Sequence, residues 1–304
     1  MIAQSIDLVA GAAHVVLLPA LGGSIRRFTI DERAILRPMP DDAIAARNVR
    51  LTGCFPLVPY SNRIRNASLT FCNRQYVLAR NFGDHPHAIH GVGWQREWTV
   101  QCASTTSATL ALDHHDDASA WPWPFRALQT FDVAARDDAH VMLTVTLTIE
   151  NTGGEAFPFG LGWHPYFPRD ASTALQFAAD GVWINDATGI PVEHIAAEEK
   201  WSLKQPRRFG GSTIDNVFTQ WNGRATLSSM QSRLVTTIEA DSSCNRLVVY
   251  VPEGRDFVAI EPATHDTDAF NRAAAGAQHT GMRMLAPGAS YSCTIRIAAT
   301  SQSR

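Results

Sequence analysis

Between His140 and Asn151 the chain alternates without a break. Val141, Leu143, Val145, Leu147 and Ile149 fall on one side of an extended chain, and Met142, Thr144, Thr146, Thr148 and Glu150 fall on the other. A repeat of two does not fit a helix, whose side chains return about every 3.6 residues, so the segment reads as a strand with one buried and one partly solvated face. Shorter runs of the same kind occupy Ala108–Leu112, Ala127–Ala134, Arg246–Val251, Phe257–Glu261 and Ser292–Ala298, and Ala13–Leu18 reads as a further strand followed by a turn. Turn sequences separate them, among them Asn151-Thr-Gly-Gly, Pro252-Glu-Gly and Ala286-Pro-Gly. No helical stripe is as strong; Asp41–Val49 and Ala269–Ala275 each suit a short helical turn. Many short strands and few helices predict packed antiparallel sheets. No linker, low-complexity tract or fixed-period repeat divides residues 1–304, which read as one all-β domain. Periodicity alone does not separate a sandwich from a barrel or a propeller.

Composition limits what such a domain acts on. A hydrophobic fraction of 45% against 18% charged residues allows a sizeable core, and a net charge of −3 gives no electrostatic reason to bind nucleic acid or an anionic membrane. A small neutral ligand suits that balance. The five cysteines, Cys54, Cys72, Cys102, Cys244 and Cys293, are scattered and odd in number, which points to reduced thiols in the cytoplasm rather than a disulfide framework or a zinc knuckle. The N-terminal stretch MIAQSIDLVAGAAHVVLLPALGGSI has no basic residue and is interrupted by His14, Pro19 and Gly22-Gly23, so it reads as neither a signal peptide nor a membrane span.

Five segments place polar residues among turn residues and aromatics: Pro59-Tyr-Ser-Asn-Arg63-Ile, Ile89-His90-Gly91, Gly162-Trp-His164-Pro-Tyr-Phe167, Ile214-Asp215-Asn-Val-Phe218 and Ala259-Ile-Glu261-Pro-Ala. Glu261 closes an apolar strand just before Pro262, which removes an amide from the ladder, and His164 likewise precedes Pro165. A carboxylate and an imidazole pinned across a cleft suit a reaction with two proton movements, one group taking a proton while the other delivers one. A nearby carboxylate is expected to raise the histidine pKa and keep it protonated near neutrality. Arg63 suits a developing oxyanion, and Trp163, Tyr166 and Phe218 offer faces for the apolar side of a sugar ring. Each motif alone has a structural explanation: Glu261 as a solvated edge residue, Arg63 in a structural ion pair, Asp215 in an Asx turn.

In order and spacing the five motifs resemble the aldose 1-epimerases (galactose mutarotases). Asp268-Ala-Phe-Asn271 and Trp121-Pro-Trp-Pro-Phe125 resemble further stretches of that family, and the likeness runs from about residue 15 to 298. The resemblance implies a large antiparallel β-sandwich, the supersandwich of galactose mutarotases. It also implies a cofactor-independent exchange of the α and β anomers of a free, unphosphorylated hexose. Carried over position by position, Glu261 is the general base at the C1 hydroxyl and His164 the acid at the ring oxygen. His90, Arg63, Asp215 and Asn62 hold the ring oxygen and hydroxyls.

The loop Gly91–Trp98 is shorter than in the best-known galactose mutarotases, and Pro262-Ala-Thr-His265 replaces more polar residues; both changes are expected at the rim of the pocket. Two other readings share the fold. A hexose-6-phosphate 1-epimerase needs extra cations at the rim, for which Arg63, Arg65, Arg96, Arg169 and Arg272 lie near the motifs. A non-catalytic carbohydrate-binding protein has no use for a matched acid and base. His85-Pro-His87-Ala-Ile-His90 places two histidines on one face, as a metal site might, but no carboxylate follows His87 at short range and Glu97 is too far along, so no metal is expected. The proline-separated aromatics at 121–125 are expected to plug the end of the sandwich. A small carbohydrate is the expected partner, met by a monomer or homodimer.

Overall fold

The computed structural model describes residues 5–302, so residues 1–4 of the apolar N-terminal stretch lie outside it. Nine strands form one sheet in the order Thr99–Ala103, Ser107–His114, Phe125–Asp137, His140–Asn151, Ser290–Ser301, Leu234–Ala240, Arg224–Ser229, Ala174–Phe177 and Arg207–Arg208. The last long strand of the chain thus lies in the middle of this sheet. A second sheet runs Pro191–Ala196, Gly181–Asn185, Ile214–Thr219, Arg246–Val251, Phe257–Ala263, Gly162–Trp163 and Pro56–Leu57, with Tyr166–Pro168 also paired to Phe257–Ala263. Neighbours in both sheets run antiparallel. A four-stranded sheet from Ile6 to Leu36 packs beside them.

Alternation decides which atoms meet. In His140–Asn151 the valine, leucine and isoleucine positions are buried, whereas Thr146 and Thr148 bond outward to Thr294 at 2.9 Å and Ser292 at 2.7 Å. Leu143, Val145 and Leu147 share one apolar core with Leu247, Val249, Val258 and Ile260 of the second sheet. The protein is therefore an all-β antiparallel sandwich. Among the described residues the two α-helices are short, Asp41–Ala45 and Ala269–Ala274, where the sequence suggests helical turns. Trp121 and Trp123 are buried, the first against Tyr60 and Phe270, the second against Phe71, Tyr76 and Phe157. No helix among the described residues is long and apolar enough to cross a membrane.

One strand runs further than the sequence suggests. Pro262 does not end the strand of Glu261; pairing continues through Leu247–Pro262 to Arg246–Ala263, because the neighbouring strand sets its length.

The two faces of His140–Asn151 have different energetic weight. Leu147→Ala is expected to cost about 2–5 kcal/mol in urea unfolding, through lost burial and the cavity left behind. Thr146→Ala, which loses one exposed-face hydrogen bond, should cost about 0.5–1.5 kcal/mol. Equal losses would mean that the faces are assigned wrongly.

Candidate active site

Gly162 pairs with Ala263 and Tyr166 with Ala259, so the same register sets His164 opposite Glu261. The ladder lapses at Pro165, whose carbonyl still accepts the Ile260 amide at 3.3 Å. Beyond His164 the pairing of Trp163 with Pro56 leads to Phe55, whose carbonyl accepts the His164 amide at 3.0 Å. Residues directly opposite in an antiparallel sheet share a face. Phe55, His164 and Glu261 accordingly project together, with the imidazole Nε2 3.1 Å from Glu261 Oε1 and the Phe55 ring 4.8 Å from the imidazole. The next row on this face is Asp215, Tyr250, Ala259 and Tyr166.

A second pair of segments brings in the other polar groups. Arg63–Ile64 pairs with Ala88–Ile89, and beyond it the two chains hook together. The His90 amide donates to the Asn62 carbonyl at 2.8 Å, and the Asn62 amide donates to His90 Nδ1 at 3.0 Å. An acceptor at Nδ1 leaves the His90 proton on Nε2. Gly91, at φ +67°, has no room for a Cβ, which would lie 2.4 Å from the Val58 oxygen. Arg63 donates from Nη1 to Asn62 Oδ1 and from Nη2 to Asp215 Oδ2, both at 3.0 Å. The backbone of Gly189 lies against that guanidinium so closely that a Cβ would stand 2.5 Å from Cζ.

The six residues singled out from the sequence thus form one chain of neighbours. Glu261 meets His164, the His164 ring lies 5.2 Å from that of His90, His90 bonds Asn62, Asn62 bonds Arg63 and Arg63 pairs with Asp215. The segment after Glu261 holds this assembly from behind. His265 Nε2 accepts the Ser61 amide at 2.9 Å, Asp268 Oδ1 accepts the Arg65 amide at 2.9 Å, and Asn271 bonds the Thr70 amide and the Ser68 carbonyl, both at 2.8 Å.

Several sequence expectations change here. His265 is not a rim residue: it is buried against Gly160, where a Cβ would overlap its ring. Trp94 and Trp98 of the loop Gly91–Trp98 are buried too, Trp94 stacking on Phe55 at 5.6 Å. Trp163 and Phe218 belong to the main core, because each stands one residue from a cleft-facing neighbour; Tyr166 alone of the three proposed aromatics faces the cleft. No sequence motif singles out Phe55, Tyr250 or Gly189, nor Arg37, whose Cζ lies 3.9 Å from the centre of the Tyr166 ring. Only the turn chemistry of Asp186-Ala-Thr-Gly189 hints at one of them. His87 Nδ1 accepts the Asn66 amide as His90 Nδ1 accepts that of Asn62, and no metal-like group of three His, Cys, Asp or Glu occurs among the described residues.

A model of the aldose 1-epimerase family matches residues 4–298. The chain is 31% identical over 277 residues to the uncharacterised protein YphB of Escherichia coli K12, covering 88% of this chain and 90% of that protein. A crystal structure of a candidate aldose 1-epimerase from Escherichia coli K12 superimposes with a TM-score of 0.87 at 28% identity, over 98% of this chain and 99% of that one. A galactose mutarotase-like protein from Clostridium acetobutylicum shares the fold, with a TM-score of 0.83 at 19% identity over 98% and 95% of the two chains.

The electrostatics of the central pair follow from burial. Glu261 is 2% exposed and His164 7%. Loss of water pushes the Glu261 carboxyl well above its usual range, with Asp215 adding to the shift and Arg63 opposing it. The same loss pushes His164 down to about 3, aided by the charges of Arg37 and Arg63. This runs against the expectation of a histidine held protonated by its carboxylate: burial disfavours the charged form of both groups. Burial holds His90 neutral as well. A raised carboxyl value contributes stability that is full below pH 4.5 and lost as pH rises through the shifted value. A lowered imidazole value contributes stability present above pH 6.5 and lost as pH falls toward about 3. Melting temperatures measured across pH should therefore show Glu261→Gln gaining on wild type as pH rises from 4.5, and His164→Asn gaining as pH falls from 6.5. Parallel curves would show that neither group is held away from water.

Proposed function

The chain belongs to the aldose 1-epimerase family, and from that premise we propose that it exchanges the α and β anomers of a cyclic aldose by opening and reclosing the ring. The observation that supports this most directly is the buried Glu261–His164 contact at 3.1 Å, with Glu261 Oε2 and His164 Nδ1 lacking any protein partner. A site that only bound sugar would gain nothing from a desolvated acid–base pair.

The cycle begins with Glu261 as a carboxylate base and His164 as an imidazolium acid. Glu261 then takes the C1 hydroxyl proton, His164 protonates the ring oxygen, and the bond between C1 and that oxygen breaks to leave an open-chain aldehyde. The pair is now protonated on Glu261 and neutral on His164, the arrangement that burial favours. After rotation about the C1–C2 bond the C5 hydroxyl attacks the aldehyde. Its proton goes to His164, Glu261 protonates the new C1 oxygen, and the other anomer results. His90, with its proton on Nε2, is placed to donate to the ring oxygen, while Arg63, Asp215 and Asn62 hold hydroxyls. No cofactor enters the scheme, and the five unpaired cysteines favour a reducing compartment, the cytoplasm.

Polarimetry of freshly dissolved α-D-glucose and α-D-galactose tests the reading. Wild type should exceed the spontaneous rate, and Glu261→Gln should lower kcat about 10²–10⁴-fold without unfolding. His164→Asn should act mainly on kcat; a change confined to KM would make His164 a binding residue. Wild-type turnover by Glu261→Gln would remove the proposed base.

A further inference from the structure

The epimerase reading leaves one conspicuous histidine, His87, without a task. It is 2% exposed, and both ring nitrogens are engaged. Nδ1 accepts the Asn66 amide at 2.9 Å, so the proton sits on Nε2 and is donated to Thr188 Oγ1 at 3.1 Å. Thr188 belongs to the turn that joins Gly181–Asn185 to Pro191–Ala196 in the second sheet. Asp186 shapes that turn. Its Oδ1 accepts the Thr188 amide at 2.8 Å, the Thr188 hydroxyl at 2.7 Å and the Ile190 amide at 3.1 Å. Just before it, Asn185 donates from Nδ2 to the Asp215 carbonyl at 2.6 Å. The hairpin tip is therefore fastened at two places, to His87 and to the strand of Asp215.

Between those fastenings lies Gly189, at φ +82°. A Cβ on it would stand 2.5 Å from Arg63 Cζ, 2.7 Å from Nε and 2.9 Å from Nη1. Three atoms of one plane at nearly one distance mean that the glycine backbone covers a flat face of the guanidinium. Its edges are held by Asn62 at Nη1 and Asp215 at Nη2. Nε is buried with no hydrogen-bond partner, so contact with the turn is what confines that side of the group.

We propose that His87 is a positioning residue for the sugar-holding arginine: by gripping Thr188 it keeps the hairpin tip, through Gly189, against Arg63 and fixes the plane of the guanidinium before substrate arrives. This rests on the epimerase reading for what Arg63 holds, though not for the clamp itself. An arginine loses the freedom of several torsions when it binds, and a fork already fixed spares the substrate that cost. Glycine alone suits position 189, which must take a positive φ and also leave room for the guanidinium. His87 acts only through the turn, since both of its nitrogens are taken by the protein.

Two measurements test this, the first on the free protein. Nitrogen NMR of the arginine side chains, with the Arg63 signal identified by its loss in Arg63→Lys, should show slow rotation of the guanidinium about its Nε–Cζ bond in wild type. Rotation should quicken in His87→Asn, which keeps an acceptor for the Asn66 amide but does not reach Thr188. It should quicken equally in Thr188→Val, a substitution at an exposed position. His87→Gln, whose amide reaches the place of Nε2, should stay slow. Rates unchanged in both His87→Asn and Thr188→Val would overturn the clamp.

The second is anomer exchange of whichever of glucose and galactose wild type accelerates. His87→Asn should raise KM about three- to tenfold with kcat nearly unchanged, and His87→Gln should recover most of the loss. In an Arg63→Lys background His87→Asn should add nothing further, because it acts only through the guanidinium. An equal loss in both backgrounds, or a loss confined to kcat, would make His87 a structural residue and overturn the proposal. If wild type accelerates neither sugar while the guanidinium still responds to His87, the epimerase reading falls and the clamp stands.

Discussion

A slip of one residue in the pairing between Phe257–Ala263 and its neighbours would turn Glu261 into the core and Ile260 into the cleft. The register resists such a slip because the core-facing set, Val258 and Ile260 among it, is fully buried against the opposite sheet. Packing on one side of the sheet thus holds the acid and base in place on the other. The lapse at Pro165 leaves His164 flanked by paired residues at Gly162 and Tyr166, with its amide anchored to Phe55.

This placement accounts for the charge state of the pair. Glu261 and His164 lie in the floor of a sheet, lined by Phe55 and Tyr166, where neither ion is readily hydrated. The neighbouring charges act at a distance: Asp215 is already paired with Arg63, and Arg37 stands behind Tyr166. Burial therefore dominates and disfavours the charged form of each group.

Much of this was legible in the chain, for identifiable reasons. The strand His140–Asn151 is bounded in the structure where its alternation begins and ends, because a half-buried strand writes its environment into every second residue. Glu261, His164, His90, Asn62, Arg63 and Asp215 were visible because each sits in a local motif of turn and aromatic residues. What stayed hidden depends on register or on distant contacts. Trp163 and Phe218 look like sugar-facing aromatics until pairing shows that they point to the core. Arg37 follows a strand of the N-terminal sheet and meets Tyr166 only through the fold. His265 reads as a substitution at a pocket edge, yet its ring serves as an acceptor for a backbone amide.

That last bond, together with those of Asp268 and Asn271, means that the proposed base and the proposed substrate-holding arginine hang from adjoining stretches of one chain. Fraying at the end of Phe257–Ala263 would release both at once. The catalytic floor should accordingly open and close to hydrogen exchange as one cooperative unit. Adaptation to a new sugar then falls to segments outside that unit, such as the loop bearing Phe82 and His85, which evolution can vary without disturbing the chemistry beneath.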